Sequence, residues 1–311
     1  MIIIIVGIGG VGGYFGGMLA KHYATNPDVE IYFLSRGEHL DKIRIDGLIL
    51  DTENGLYTVR PTLATDKVND LPIADYILLC TKSYDLDATV NQLMPVTGID
   101  TVILPLLNGI DNSARIRQLL PQCEVWDGCC YIVAKIKEPG IIENSGSIHR
   151  LLFGFENQTS DRLLLFEKCL KDAGLEARFC ENILLEIWKK FFFISSTATL
   201  TSYFDVSYGS LLIDVTRKNT LLKILDELLL VGNAEGIPLD NSEKEKLMLQ
   251  LEKLSSNTTT SMHRDFQKRK NTEVHSLTGI VVELAQKYNL KVPEFKKIYA
   301  ELCHRANQFP K

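Results

Sequence analysis

At 311 residues, with 45% hydrophobic and 23% charged side chains, the chain is long enough for two domains, each with its own core. A net charge of −5 gives no electrostatic reason to expect nucleic acid or an anionic membrane as a partner, and no apolar run approaches the roughly 20 residues of a membrane span. The seven cysteines include no C-x-x-C pair, and neither they nor the six histidines show metal-ligand spacing, so the expectation is reduced thiols in a cytoplasmic protein without a metal site.

Met1 to Val6 reads M-I-I-I-I-V, a strand buried on both faces. Gly7-Ile8-Gly9-Gly10-Val11-Gly12 follows at once and fits G-x-G-x-x-G. Gly7 permits the tight turn, Gly9 lets a pyrophosphate approach the backbone, and Gly12 lets the next helix pack closely on the strand. That helix is expected from about Val11 to Tyr23, with its first amides facing the phosphates. Strand, turn and helix in this order predict a Rossmann-type dinucleotide site.

A second strand, Glu30 to Leu34, ends in Ser35-Arg36. This is where such folds meet the adenosine ribose. An acid there suits the 2′-hydroxyl of NAD, whereas a hydroxyl and a guanidinium suit the 2′-phosphate of NADP. The sequence therefore favours NADP, against the plain alternative of a surface arginine in a turn. Gly47 to Leu50 and Tyr57 to Val59, with Asn54-Gly55 between them, predict a hairpin. Ala74 to Cys80 and Thr101 to Leu107 are further buried strands. They end in Thr81-Lys82-Ser83 and Asn108-Gly109, so Lys82 and Asn108 are candidates for a site beyond the carboxyl ends of the strands, or else cap and turn residues. Val125 to Ala134, Gly140 to Asn144 and Leu151 to Phe155 read as three more strands, and Asp161 to Ala173 as a helix. Residues 1–180 are thus expected to form a doubly wound α/β domain.

Residues 181–311 change to long helical periodicities: Ile183 to Thr201, Leu211 to Glu235, Asn241 to Leu254, Thr272 to Tyr288 and Val292 to Ala306. Ile187-Trp188-Lys189-Lys190-Phe191 sets two lysines in an apolar helix. Desolvation makes a lysine a better proton donor near neutrality, while snorkelling of its stem is the equal alternative. Asn257 to Asp265 is rich in hydroxyls and leads to Thr272-Glu273; turn residues and a first-turn acid explain this as well as a site does. Lys268-Arg269-Lys270 reads as a solvated helix face. Leu221-Leu222 and Leu228 to Val231 would serve a homodimer interface or a core face alike.

Assembled, these segments resemble the ketopantoate reductase (2-dehydropantoate 2-reductase) family. The resemblance rests on Gly7 to Gly12, Leu79 to Ser83, Leu106 to Gly109, Trp188-Lys189-Lys190, and Ser261-Met262 with Asp265 and Thr272-Glu273. It implies NADPH-dependent reduction of the small 2-keto acid ketopantoate to pantoate, on the route to pantothenate and coenzyme A. It also implies a helical C-terminal domain of the 6-phosphogluconate dehydrogenase type. By resemblance Lys190 is the general acid, and Glu273 orients substrate and lysine. Asn257 and Ser261 contact the substrate carboxylate, and Lys82 and Asn108 lie near the nicotinamide and hold the lysine network. The family carries asparagines four and eight residues after the lysine, where this chain has Ile194 and Ala198, and a histidine near Asn144. Thr197, on the same helix face, is the expected substitute, with Ser195 the weaker candidate. The departure predicts relaxed specificity or a more apolar 2-keto acid. A related reductase of another 2-keto acid, and an NADP-binding protein without turnover, are the competing readings.

Overall fold

The N-terminal apolar run forms β1 (Ile2–Val6), in which Ile3, Ile4 and Ile5 have no exposure. Its side chains alternate between two cores. Ile3 and Ile5 join Tyr14, Phe15 and Leu19 of α1 (Gly10–His22); Ile4 and Val6 join Leu86, Val90 and Ile116 on the other face. This is why the run is apolar at every position instead of every second one. The computed structural model describes residues 1–155 and 158–309. By their contacts these form two compact units: the described residues of Met1–Leu107 with Asp111–Ile183, and those of Asn108–Ile110 with the chain from Leu184 onward.

In the first unit the chain runs from α1 to β2 (Glu30–Leu34), α2 (Gly37–Asp46), the hairpin β3 (Leu48–Thr52) and β4 (Gly55–Val59), and β5 (Leu63–Thr65). It continues through β6 (Tyr76–Leu79), α3 (Leu86–Gln92), β7 (Val102–Pro105), α4 (Asn112–Leu119) and β8 (Glu124–Val125). Six parallel strands lie in the order β5-β2-β1-β6-β7-β8. The order reverses between β1 and β6, so the crevice of this Rossmann-type sheet opens at Gly7 and Thr81.

A second sheet is built from β3, β4, β9 (Asp127–Glu138), β10 (Ile141–Gly154) and β11 (Glu176–Phe179), with α5 (Asp161–Asp172) before its last strand. The two strands expected at 140–144 and 151–155 are one continuous strand, β10. Its pairing with β9 slips between Asn144 and His149, across the small residues that made the sequence look broken there. Trp126 stacks on Phe153 with ring centroids 5.5 Å apart, joining the β8–β9 junction to β10.

The second unit is helical: α6 (Ile183–Phe204), α7 (Tyr208–Ile213), α8 (Val215–Ala234), α9 (Asn241–Lys253), α10 (Ser261–Gln267), α11 (Ile280–Lys287) and α12 (Pro293–Ala306). A single core gathers Phe191, Phe192, Leu228, Val231, Phe295 and Ile298. Three sequence expectations are corrected here. The hydroxyl-rich segment contains a short helix, α10, capped by Thr260, whose hydroxyl accepts from the His263 amide. Lys268-Arg269-Lys270 lies beyond α10 and is exposed, with Arg269 in the left-handed region, so it is a turn and not a helix face. The helix expected from Thr272 opens instead with a π-helical turn, His275–Gly279. No helix among the described residues is long and apolar enough to cross a membrane.

Candidate active site

In the first unit, Gly7 turns with φ +88°, and its amide donates to the Leu34 carbonyl at 3.0 Å. A Cβ on Gly12 would lie 2.1 Å from the Gly7 carbonyl oxygen and 2.9 Å from the Cys80 Cβ, so α1 reaches this close to β1 only because residue 12 is glycine. A Cβ on Gly9 would meet nothing within 4 Å. The three glycines therefore turn, open and pack, in that order. Gly9 caps α1 without a side chain, the first turn of α1 holds no acid, and Lys21 and His22 sit in its last turn. Ile8, Gly10 and Val11 complete the loop, whose amide-rich open side suits an anion. Beside it the Thr81 hydroxyl oxygen is buried with no hydrogen-bond partner among the described residues. An open cradle lined by amides and one orphaned hydroxyl fits a bound dinucleotide diphosphate. Thr81 stands two residues after β6, beside the expected Lys82, and that place was the usable signal in the sequence.

Ser35 and Arg36 follow β2 as expected. Ser35 is half-buried, and its amide donates to Thr65; the Arg36 side chain is 88% exposed. The Arg36 guanidinium meets the Asp85 carboxylate at 3.4 Å, a partner that comes from the turn after β6. Lys82 is half-buried at the start of that turn, Ser83–Asp85.

In the second unit α6 separates the two lysines. Lys189 reaches back one turn to Glu186 at 3.0 Å, an ordinary surface pair. Lys190 is half-buried, and its ammonium donates to Asn108 Oδ1 at 3.1 Å. Asn108 lies far away in sequence yet belongs to this unit. Glu273 is buried, at 3% exposure, just before the π-helical turn. Ser261 is the half-buried first residue of α10, and Asn257 is exposed on the segment before it.

The expected substitute, Thr197, donates within its own helix. It has no exposure, and its hydroxyl donates to the Phe193 carbonyl at 2.7 Å. Back-bonding of this kind uses the one proton of the hydroxyl, so Thr197 keeps only acceptor capacity. Ser195 is equally committed, donating to the Leu277 carbonyl at 2.6 Å. Ala198 is buried in the core, and Ile194 is half-buried against it. No group of three or more potential metal ligands occurs among the described residues.

Comparison with known proteins fits this arrangement. The sequence profile described as ketopantoate reductase PanE/ApbA matches residues 3–158, and that of its C-terminal domain matches residues 182–306. The chain belongs to the ketopantoate reductase PanE/ApbA family. A crystal structure of 2-dehydropantoate 2-reductase from Porphyromonas gingivalis W83 is 35% identical, with a TM-score of 0.85 over 97% of this chain and 99% of that one. A Bacillus subtilis protein, uncharacterized oxidoreductase YkpB, is 27% identical over 300 residues, 96% of this chain and 97% of its own. In fold alone, the chain is similar to D-mandelate dehydrogenase in its ternary structure with NADH and anilino(oxo)acetate: 23% identity and a TM-score of 0.85 over 99% of each chain. As a member of the ketopantoate reductase family the protein is an oxidoreductase, built from an N-terminal Rossmann-type α/β domain and a helical C-terminal domain.

Proposed function

We propose that the protein reduces a 2-keto acid to the 2-hydroxy acid with NADPH, with ketopantoate as the leading substrate and Lys190 as the general acid. The observation that carries this reading is the half-buried Lys190 ammonium of α6 hydrogen-bonded to Asn108 Oδ1. A nicotinamide cofactor, when bound, supplies the hydride that reduces the C2 ketone. Asn108 Oδ1 accepts a hydrogen bond from one of the three N–H groups of Lys190 and fixes the direction of the ammonium, which leaves donors for the substrate carbonyl oxygen. As negative charge grows on that oxygen, the ammonium stabilises it and delivers the proton. The buried Glu273 orients lysine and substrate, and Asn257 and Ser261 hold the substrate carboxylate. The amides of Gly7 to Gly12 hold the pyrophosphate, Lys82 serves the nicotinamide end, and Ser35 and Arg36 take the 2′-phosphate. This activity belongs to pantothenate and coenzyme A synthesis in the cytoplasm.

The test is NADPH oxidation by the purified protein with a panel of 2-keto acids that includes ketopantoate and phenylglyoxylate. Turnover of ketopantoate above the others supports the reading. Tight NADPH binding with no turnover on any of them makes the protein a cofactor-binding protein without this chemistry.

A second reading, a more apolar 2-keto acid, is favoured by Ile194, which stands one turn after Lys190 on the same helix face. Ile194→Asn is then expected to raise kcat/KM for ketopantoate relative to an unhydroxylated 2-keto acid by about ten-fold, because a site that hydrogen-bonds a hydroxyl discriminates by it. An unchanged ratio removes Ile194 from specificity.

Cofactor choice is tested at Arg36. Arg36→Ala is expected to raise KM for NADPH by about ten- to hundred-fold, the range for losing a charge-assisted hydrogen bond, and to leave KM for NADH unchanged. An equal rise for both cofactors would place Arg36 outside 2′-phosphate recognition.

A further inference from the structure

Asp205 is the first residue after α6 and sits in the left-handed region, at φ +53°. Its carboxylate accepts from His263 Nε2 at 2.6 Å and from Gln267 Nε2 at 3.3 Å, both on α10. The His263 ring is buried, at 3% exposure, and its other nitrogen, Nδ1, lies 2.6 Å from the Thr259 hydroxyl. The hydrogen bond from His263 holds the Asp205 carboxyl below the usual carboxylate range. An ionised Asp205 can only accept, so His263 Nε2 carries a proton and donates to it, and in the neutral ring Nδ1 accepts from the Thr259 hydroxyl. The three side chains form a line from the end of α6, through α10, to the segment that precedes it.

Other contacts hold the same segment. The Tyr208 amide donates to the Thr258 carbonyl and the Gly209 amide to the Ser256 carbonyl, each at 3.0 Å. The Thr201 hydroxyl of α6 lies 2.9 Å from the Thr260 hydroxyl. The carbonyls on both sides of Asn257 are thus tied down while Asn257 itself stays exposed. A segment with no regular structure of its own is held at both ends by partners from α6, α7 and α10.

We infer that Asp205, His263 and Thr259 form a relay that positions the segment Asn257–Ser261 for the substrate carboxylate. The inference rests on the reading above that Asn257 and Ser261 meet that carboxylate. None of the three residues touches the reacting atoms; they are positioning residues, and what they supply is a preformed geometry. Asp205 is the part best suited to a test, because it is exposed and asparagine keeps both its acceptor oxygen and its tolerance of the left-handed region.

The experiment compares the full-length wild type with Asp205→Ala and Asp205→Asn. It reads amide hydrogen exchange at Tyr208, Gly209 and Thr258 together with steady-state kinetics. In Asp205→Ala, exchange at these amides is expected to be about ten-fold faster, and KM for the keto acid about ten-fold higher, with kcat and NADPH affinity within about two-fold. Asp205→Asn is expected to stay near wild type in all four. Wild-type exchange or wild-type KM in Asp205→Ala overturns the relay. So does an equal loss of NADPH affinity, or an effect of the same size in Asp205→Asn, since neither would act through the acceptor at His263. If Asp205→Ala does not fold, Thr259→Val, which removes the far end of the line, is read in the same way. A wild type that reduces no 2-keto acid sinks the functional reading, and the exchange comparison then decides the relay alone.

Discussion

Lys190→Ala is expected to lower kcat by about 10²–10⁴-fold, the usual contribution of one general acid, while NADPH affinity stays within a few-fold. The asymmetry follows from the division of labour in the chain. The glycine loop Gly7 to Gly12, to which the proposal assigns the diphosphate, belongs to the first unit, whereas Lys190 and its partner Asn108 belong to the second. Removing the ammonium takes away charge stabilisation and the proton together. Lys190→Arg separates them: the guanidinium keeps the positive charge but does not give up its proton in this pH range, so it should recover a minor part of the loss. Asn108→Ala leaves the acid in place but unoriented and should cost less than Lys190→Ala. Single-turnover kinetics beside a cofactor titration check all three. A collapse of NADPH affinity as large as the fall in kcat would move Lys190 from catalysis to cofactor binding.

Gly12→Ala and Gly9→Ala should fail in different ways. The alanine methyl at position 12 falls 2.1 Å from the Gly7 carbonyl oxygen, which is backbone and has nowhere to go. Helix α1 must back away from β1, at a cost of about 1–3 kcal/mol or more for overpacking. For a unit of this size each kcal/mol lowers Tm by roughly 2–4 °C, so the apo protein should melt several degrees lower, with its phosphate-facing amides displaced. At position 9 the methyl meets nothing in the protein. Gly9→Ala should therefore melt like wild type and, on the proposed reading, lose NADPH affinity by about a hundred-fold or more, because the methyl would occupy the space that reading gives to the diphosphate. Melting curves without cofactor, beside a cofactor titration, distinguish the two. Wild-type stability in Gly12→Ala, or wild-type affinity in Gly9→Ala, would contradict the respective role.

The first element was readable because everything that determines it is local. Strand, turn and helix occupy adjacent residues, and the glycine spacing encodes both the positive φ at Gly7 and the close approach at Gly12. The helical half was readable in outline from periodicity, yet the π-helical turn at His275–Gly279 escaped, because Ser276 to Val282 are buried at every position and leave no one-sided stripe in which a shift of register would show. α10 escaped for the opposite reason: seven residues behind a run of hydroxyls look like turn, although Thr260 was its cap. Thr197 stands on the same face of α6 as Lys190 by helical geometry, but sequence spacing does not show that a hydroxyl will donate within its own helix. The pairs Arg36–Asp85 and His263–Asp205 span 49 and 58 residues, and no local pattern announces a partner that far away.

Asn108–Ile110 pack with the helical unit although the chain on both sides of them belongs to the other. The body that carries Lys190 is therefore not one contiguous stretch of coding sequence. A recombination joint at Ile183 would transfer the lysine and leave its hydrogen-bond partner behind with the recipient. Such an exchange keeps the pair only when both parents supply an asparagine at this turn. Three residues thus restrict which N-terminal halves this helical half can be shuffled onto, and a chimera meant to move its chemistry must carry the turn as well as the helices.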